Sequence, residues 1–515
     1  MPRINVLPQG VTIECPTGAN LMEQLAAAGM MVDVPCGGRG MCGKCAVMVS
    51  GREALSCQYV VDSDVSVNLP GTTSEMQDIL TFGHVPPFSR DAFEPGFFGI
   101  AIDIGTTTVA CTLVNLSTGM PLESVSGLNE QSRYGADVLT RITYEIEKGD
   151  EAIGVLQRAI VSSIDAMICD LLERADAGGE SVARVAIAAN CTMMHLLLGE
   201  DARPLGRAPY MPRFMGSRRI SARDLGLESI SNAKVYCLPS VSAYVGADVV
   251  AGVRACEMAG ADDVALLVDI GTNGEIVLSN RGVLSCCSCA AGPALEGMNI
   301  SWGMQAAPGA VQDMTIGKES VELDVIGGGK PRGLCGSGIL AAVRELVEWG
   351  LVKKNGAFVK LEEIPEGDFR KRLMRLNGKK REFVFGPEDC LLAVTQSDVR
   401  QVQLAKGAIL SGFLALLNQA GLDLSDVDRV IVAGQFGAHL PAESLTGVGL
   451  LPASLSDRIV YVGNSSKSGA YMALLSKSVR DEMDELAQRI SSVELADVPG
   501  YERLFAQCTL FEEGR

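Results

Sequence analysis

The sequence predicts an α/β protein in which a small β-rich N-terminal module precedes a larger module of two related lobes. Three observations carry this. Beyond Phe97, short apolar strand runs alternate with long amphipathic helical runs, the pattern of a parallel-rich α/β fold. Ile102-Asp103-Ile104-Gly105-Thr106 recurs 166 residues later as Val268-Asp269-Ile270-Gly271-Thr272, which suggests two lobes facing one site. A loop rich in glycine and cysteine, Pro35 to Cys45, interrupts the first seventy residues.

In the first module, Ile4 to Leu7 and Val11 to Cys15 read as strands around Pro8-Gln9-Gly10. Asn20 starts a helix, with Glu23 at the capping-box spacing. Val65 to Leu69 alternates as a strand does. From Gly71 to Gly96 the prolines and threonines read as a linker. The runs FGIAIDIG, ARVAIAA, VALLVDIG and RVIVAG then read as buried strands, with helices over Ala152 to Ala175 and Leu404 to Ala420 between them.

Composition excludes several functions. The 515 residues suffice for two to four domains. With 44 basic and 62 acidic residues, a net charge of −18 repels a phosphate backbone, so no nucleic-acid partner is expected. No apolar signal core opens the chain, and the richest apolar stretch, Val182 to Gly199, is broken by Arg184, Asn190 and His195. No membrane span is therefore expected. Sixteen cysteines in so long a chain do not make a disulfide scaffold, and the reading is a cytoplasmic protein with reduced thiols.

Cys36, Cys42, Cys45 and Cys57 are spaced C-x5-C-x2-C-x11-C. Three ligands on a tight loop and one from a following hairpin can converge on an iron–sulfur cluster. Gly37, Gly38, Gly40 and Gly43 let backbone N–H groups approach the sulfurs. Zinc sites favour two spaced cysteine pairs, which this spacing fits poorly. Cys286, Cys287 and Cys289 lack a partner pair and read as small packed side chains rather than a second metal site. His195 and His439, in apolar surroundings, read as packing histidines.

Asp103-Ile104-Gly105-Thr106-Thr107-Thr108 follows an apolar strand. The carboxylate can hold a metal-bound water, Gly105 lets the backbone approach a phosphate, and Thr106 and Thr107 can donate to its oxygens. Asp269, Gly271, Thr272 and Asn273 offer the same parts from the second lobe. Gly336 and Ser337 open a helix whose N-terminus either accepts an anion or is a plain cap.

The cysteine loop resembles the [2Fe–2S] ferredoxin family, which implies a β-grasp fold over residues 1–72 and a linker over 73–97. The paired turns are similar to those of the acetate-kinase/Hsp70/actin-like superfamily. That resemblance implies two RNase H-like lobes, 98–262 and 263–515, closing on Mg2+ and ATP. Val430 to Gly437, with Gly434 and Gly437, looks like its adenosine segment. Val460 to Asn464, running into Ser465 and Ser468-Gly469-Ala470, looks like its closing strand and final helix. Asp103 and Asp269 are the implied catalytic carboxylates.

The pairing of these modules resembles the reductive activators of corrinoid proteins, supported by Asn190 to Met193, Ala291 to Gly297 and Gln396 to Arg400. It implies an ATP-dependent one-electron reductase. Such an enzyme returns a cobalt(II) corrinoid protein to cobalt(I), is fed by an upstream electron donor and works as a homodimer. Longer members carry a middle domain between the two modules. Only residues 71–95 intervene here, so that domain is expected to be absent. A flexible link of that length reaches about 25–30 Å. The competing readings are an activator of a dehydratase or ring reductase, a small-molecule kinase, and a nucleotide-switched redox sensor.

Overall fold

Two Asp-Gly turns stand at matching places in two similar sheets. The protein, as a computed structural model, is described over residues 2–7, 11–28, 46–50, 52–68, 83–135, 137–271, 273–378, 380–387, 390–434, 437 and 440–512. It divides into two compact units. One comprises Met1–Glu257 with Asn464–Arg489, the other Met258–Gly463 with Ile490–Arg515.

The first unit begins with a five-stranded sheet. Arg3–Leu7 and Val65–Asn68 pair in parallel, with Ile4 opposite Val65 and Val6 opposite Val67. Val11–Glu14 flanks the first strand, and the hairpin Ala46–Val49/Arg52–Leu55 flanks the last. Alternation puts Ile4, Val6, Val65 and Val67 into a core with Leu21 and Leu25 of the helix Leu21–Ala27. The Asn20 side chain accepts from the Met22 and Glu23 N–H groups and so caps that helix. A central parallel pair of first and last strands, crossed by a helix, is the β-grasp arrangement.

Residues 83–97 carry no helix or strand before Phe98, but they are fixed to the rest of the unit. The Asp91 carboxylate accepts from Arg184 at 2.6 Å, from Arg480 at 3.2 Å and from the Lys477 N–H at 2.9 Å. Burial opposes its ionisation, yet these donors hold its pKa below the usual carboxylate value. Phe88 meets Tyr471 edge-on, and Arg184 lies over the Phe93 ring. This part of the expected linker is therefore a packed strap.

The larger sheet of this unit is ordered Pro121–Leu128, Thr108–Asn115, Phe98–Ile104, Val182–Ala189, Lys234–Cys237, Arg218–Ser221. The first three strands form an antiparallel meander, and Val182–Ala189 and Lys234–Cys237 then add in parallel. The second unit repeats the plan. Val283–Cys289, Gly274–Asn280 and Val264–Ile270 form the meander, followed in parallel by Arg429–Ala433 and Ile459–Gly463. The duplicated motif thus marks duplicated architecture.

Helix Asp150–Ala175 has the length and apolarity of a membrane span. Its Leu156, Ile160, Ile164, Ile168 and Leu171 are fully buried, as on a core helix of a folded lobe. The helix expected from Leu404 begins at Gln396, where Thr395 and Asp398 form a capping box, and runs to Ala420. After Asn464 the chain contributes Ser465–Leu475 and Lys477–Arg489 to the first unit, so that unit is not one continuous stretch.

Candidate functional site

In the first unit, Asp103 is the penultimate residue of its strand and lies beside Ala188 of the parallel neighbour. The small alanine leaves room for the carboxylate. Gly105 then turns the chain: its N–H bonds the Thr108 carbonyl, and a Cβ here would lie 2.9 Å from that oxygen. The turn is braced from below. Asn129 donates to the Gly105 carbonyl at 2.9 Å, and its N–H bonds the Thr107 carbonyl. The fully buried Arg141 reaches the Thr106 carbonyl, and Asn190 donates to the Thr106 hydroxyl at 3.1 Å.

Both Asp103 oxygens are engaged. Asn464 Nδ2 donates to one at 2.7 Å and Ser466 Oγ to the other at 2.7 Å. Burial nevertheless raises the Asp103 pKa, against these bonds and the nearby Lys467 ammonium. Asn464 also accepts from the Lys467 N–H and caps the helix Ser465–Leu475. Lys467 itself is buried.

A second carboxylate joins them. Asp248 lies in the first turn of helix Ala247–Ala255. Burial first, and then the charge of Asp103, pushes its pKa up to about 6. Gly246 makes this approach possible, since a Cβ there would lie 2.4 Å from the Asn190 Cα. Asp248, Ser466 and Lys467 did not emerge from the sequence as site residues. A glycine two residues before an acid at a helix start was the available signal for Asp248.

In the second unit Asp269 holds the equivalent place, beside Ala433 of the parallel strand. Gly271 donates to the Asn273 carbonyl at 3.1 Å. Gly434, at φ +94°, sits against Asp269, and a Cβ would fall 2.4 Å from the carboxylate oxygen. Gly437 is flanked by Val432 and Ile270. Asp269, Gly271, Asn273, Gly434 and Gly437 therefore come together, while Thr272 and His439 lie outside the described residues. Gly336 and Ser337 open helix Gly336–Glu348 but are buried. A Gly336 Cβ would strike the Leu295 carbonyl at 1.8 Å, so close packing accounts for that glycine.

Of the four loop cysteines only Cys57 lies among the described residues; Cys36, Cys42 and Cys45 fall outside them. Cys57 is buried, with its carbonyl held by Asn20 at 2.9 Å and Gln58 Nε2 at 3.8 Å from its sulfur. An amide N–H aimed at this thiol is the donor set a cluster ligand receives. Cys57 packs with Met120, and Met22 and Leu55 pack against both. Cys286, Cys287 and Cys289 lie on one strand and are buried, and burial raises all three thiols. Successive residues of a strand face opposite ways, so Cys286 points away from the other two, consistent with packing. His195 is also a packing residue: Nδ1 lies 2.8 Å from the Cys191 carbonyl, and Nε2 accepts from the Arg213 N–H.

Three family descriptions match the chain. They are a 2Fe-2S iron–sulfur cluster binding domain over residues 4–66, the RACo middle region over 98–261, and the C-terminal domain of RACo, the ASKHA domain, over 263–514. A solved structure described as a reductive activator for corrinoid, iron–sulfur protein superposes with a TM-score of 0.73. It is 27% identical and covers 99% of this chain and 98% of its own. The chain belongs to the reductive activators of corrinoid proteins.

Two curated relatives agree with that membership. The corrinoid activation enzyme RamQ of Eubacterium limosum is 28% identical over 94% of this chain and 95% of its own length. The [Co(II) methylated amine-specific corrinoid protein] reductase of Methanosarcina barkeri is 27% identical over 77% and 74%. One expectation is corrected: a middle region, expected above to be absent, is matched over residues 98–261, the same stretch expected to form the first lobe.

Proposed function

We propose that the protein is an ATP-dependent one-electron reductase that returns a corrinoid protein from cobalt(II) to cobalt(I). The observation that carries this is one chain joining a 2Fe-2S domain to an ASKHA domain along the length of known activators. When bound, the cluster supplies single-electron transfer and Mg-ATP supplies the free energy of hydrolysis. Cys57 fits as one cluster ligand, and Cys36, Cys42 and Cys45 complete the proposed set. The turns at Gly105 and Gly434 are packed too tightly for a Cβ, against the Thr108 carbonyl and the Asp269 carboxylate respectively, so each keeps its glycine backbone close to the motif carboxylate.

The residues divide the nucleotide work as follows. Thr106 and Thr107, with Thr272 and Asn273, present N–H and hydroxyl donors to phosphate oxygens, while Gly105 and Gly271, whose N–H groups close their own turns, let the backbone come near. Gly434 and Gly437 receive the nucleoside. Asp269 holds Mg2+ through water. Asp103, tied by Asn464 and Ser466, ties the phosphate turn to the helix Ser465–Leu475. Asp248, with a pKa near 6, takes the proton of the attacking water, a task that suits a base poised close to working pH. ATP can drive an uphill electron only if its states differ in affinity for the partner's states. A few kcal/mol of such coupling shifts a one-electron equilibrium by roughly 100–200 mV.

The homodimer, the upstream donor and a cytoplasmic setting belong to this proposal. An anaerobic assay tests it: the chain with its cluster reduced, a cobalt(II) corrinoid protein, and the visible cobalt(I) band with and without Mg-ATP. Formation of cobalt(I) only with Mg-ATP is expected. No cobalt(I) with any corrinoid protein, despite an intact cluster and bound ATP, overturns it.

A further inference from the structure

We infer that residues 203–219, together with Tyr244, form the docking face for an acidic surface of the corrinoid protein. The inference rests on the function proposed above. Residues 202–219 contain five arginines and not one Asp, Glu or Lys, in a chain of net charge −18. They also expose apolar tips that a folded lobe normally hides. Met211 is 62% exposed, Met215 47%, Tyr210 42% and Tyr244 41%. Arginine, tyrosine and methionine with few acids or lysines is the composition of a protein interface core.

The face is held in shape rather than trailing. Tyr210 meets Tyr244 with ring centroids 5.4 Å apart, and the Met215 carbonyl accepts from the Ser240 N–H. Arg218 lies over the Phe214 ring, which stacks on the buried His195 at 4.5 Å. Arg213 and Arg203 are fixed by Asp201. Arg207 is exposed, makes no ion pair among the described residues, and shares a cleft with Ile146, Asp201, Arg203 and Pro204. A preorganised surface of this kind loses little entropy on binding.

Two arguments select the occupant. Arg203 and Arg213 are paired with Asp201 and Arg219 with Asp484, which leaves Arg207 and Arg218 without an ion pair among the described residues; a second copy docking about a two-fold axis would bring arginine-rich surfaces together, and like charges there cost affinity. An acidic partner meets them with opposite charge. The face is also joined along the chain to the proposed nucleotide site: the segment 240–246 carries Tyr244 and ends at Gly246, two residues before Asp248. Coupling of nucleotide state to the partner requires such a link between the two sites.

The test uses the full-length protein with its cluster and a cobalt(II) corrinoid protein that the wild type reduces. The double variant Arg207→Glu/Met211→Ser should bind it at least tenfold more weakly. Its affinity should also depend less steeply on salt between 50 and 300 mM, while cluster spectrum and partner-independent ATP turnover stay within about twofold. Arg207→Lys, which keeps the charge, should recover most of the binding. Affinity within twofold of wild type overturns the proposal. So does a change in oligomeric mass by light scattering, which would make the face a self-association surface. If the wild type binds no corrinoid protein, the functional reading fails before any variant is made, and this inference falls with it.

Discussion

Asp248 is ionised at neutral pH at a cost to the fold. Its folded pKa, near 6, stands above the ordinary carboxylate value because of burial and the neighbouring Asp103. Such a shift favours the folded state while the group is protonated, and that contribution is lost as pH rises from the unfolded value through about 6. Asp248→Asn should therefore raise stability at pH 7.5, by about 1–2 kcal/mol, and flatten its dependence on pH between 4 and 6. The same variant should lower ATP turnover by about a hundredfold or more. Thermal melts across pH and a phosphate-release assay check both halves, and unchanged turnover would remove Asp248 from the mechanism. Asn464→Ala removes both a helix cap and a donor to Asp103, and should cost about 1–2 kcal/mol in denaturant unfolding. The Asp-Gly-Thr turns were readable because strand, acid and glycine are contiguous. Asn464 was legible at the end of its strand, but Asp248 and Ser466 were not, because they come from distant segments and meet Asp103 only in the folded lobe.

Between elements, helices Ala247–Ala255 and Ser465–Leu475 of the first unit cross closely. A Cβ on Gly469 would lie 2.4 Å from the Ala251 Cβ. Gly469→Val should therefore force the helices apart and destabilise the protein by about 1–3 kcal/mol or more. Differential scanning calorimetry would show it, and an unshifted transition would mean the helices have slack. Buried strands were legible from apolar runs such as Val264–Ile270, since strands covered on both faces need no alternation. The start of helix Gln396–Ala420 was obscured because its first turns are polar, although the Thr395–Asp398 capping box was in the sequence. The return of residues 464–489 to the first unit has no local signature at all. Cys286, Cys287 and Cys289 were read as packed side chains, and the strand sends Cys286 to the face opposite the other two.

For the whole molecule, the two modules answer different needs, and each was visible through a different kind of signal. The cysteine spacing is short-range and survives in the sequence as a string. The two-lobed plan is long-range but was announced by an internal repeat. The match to the RACo middle region falls on residues 98–261, the stretch that carries the first of the two repeated motifs. Acidic overall charge hid the arginine-rich face, since net charge averages over patches of opposite sign. Coupling between the modules predicts that Asp269→Ala leaves a reducible cluster but abolishes ATP-dependent reduction. A Cys42→Ala variant should instead keep ATP turnover and lose electron transfer. The most direct measurement is the anaerobic appearance of the cobalt(I) band in these two variants and the wild type, with and without Mg-ATP. The account predicts cobalt(I) only for wild type with Mg-ATP. Equal cobalt(I) formation with and without nucleotide, or formation by either variant, would contradict it.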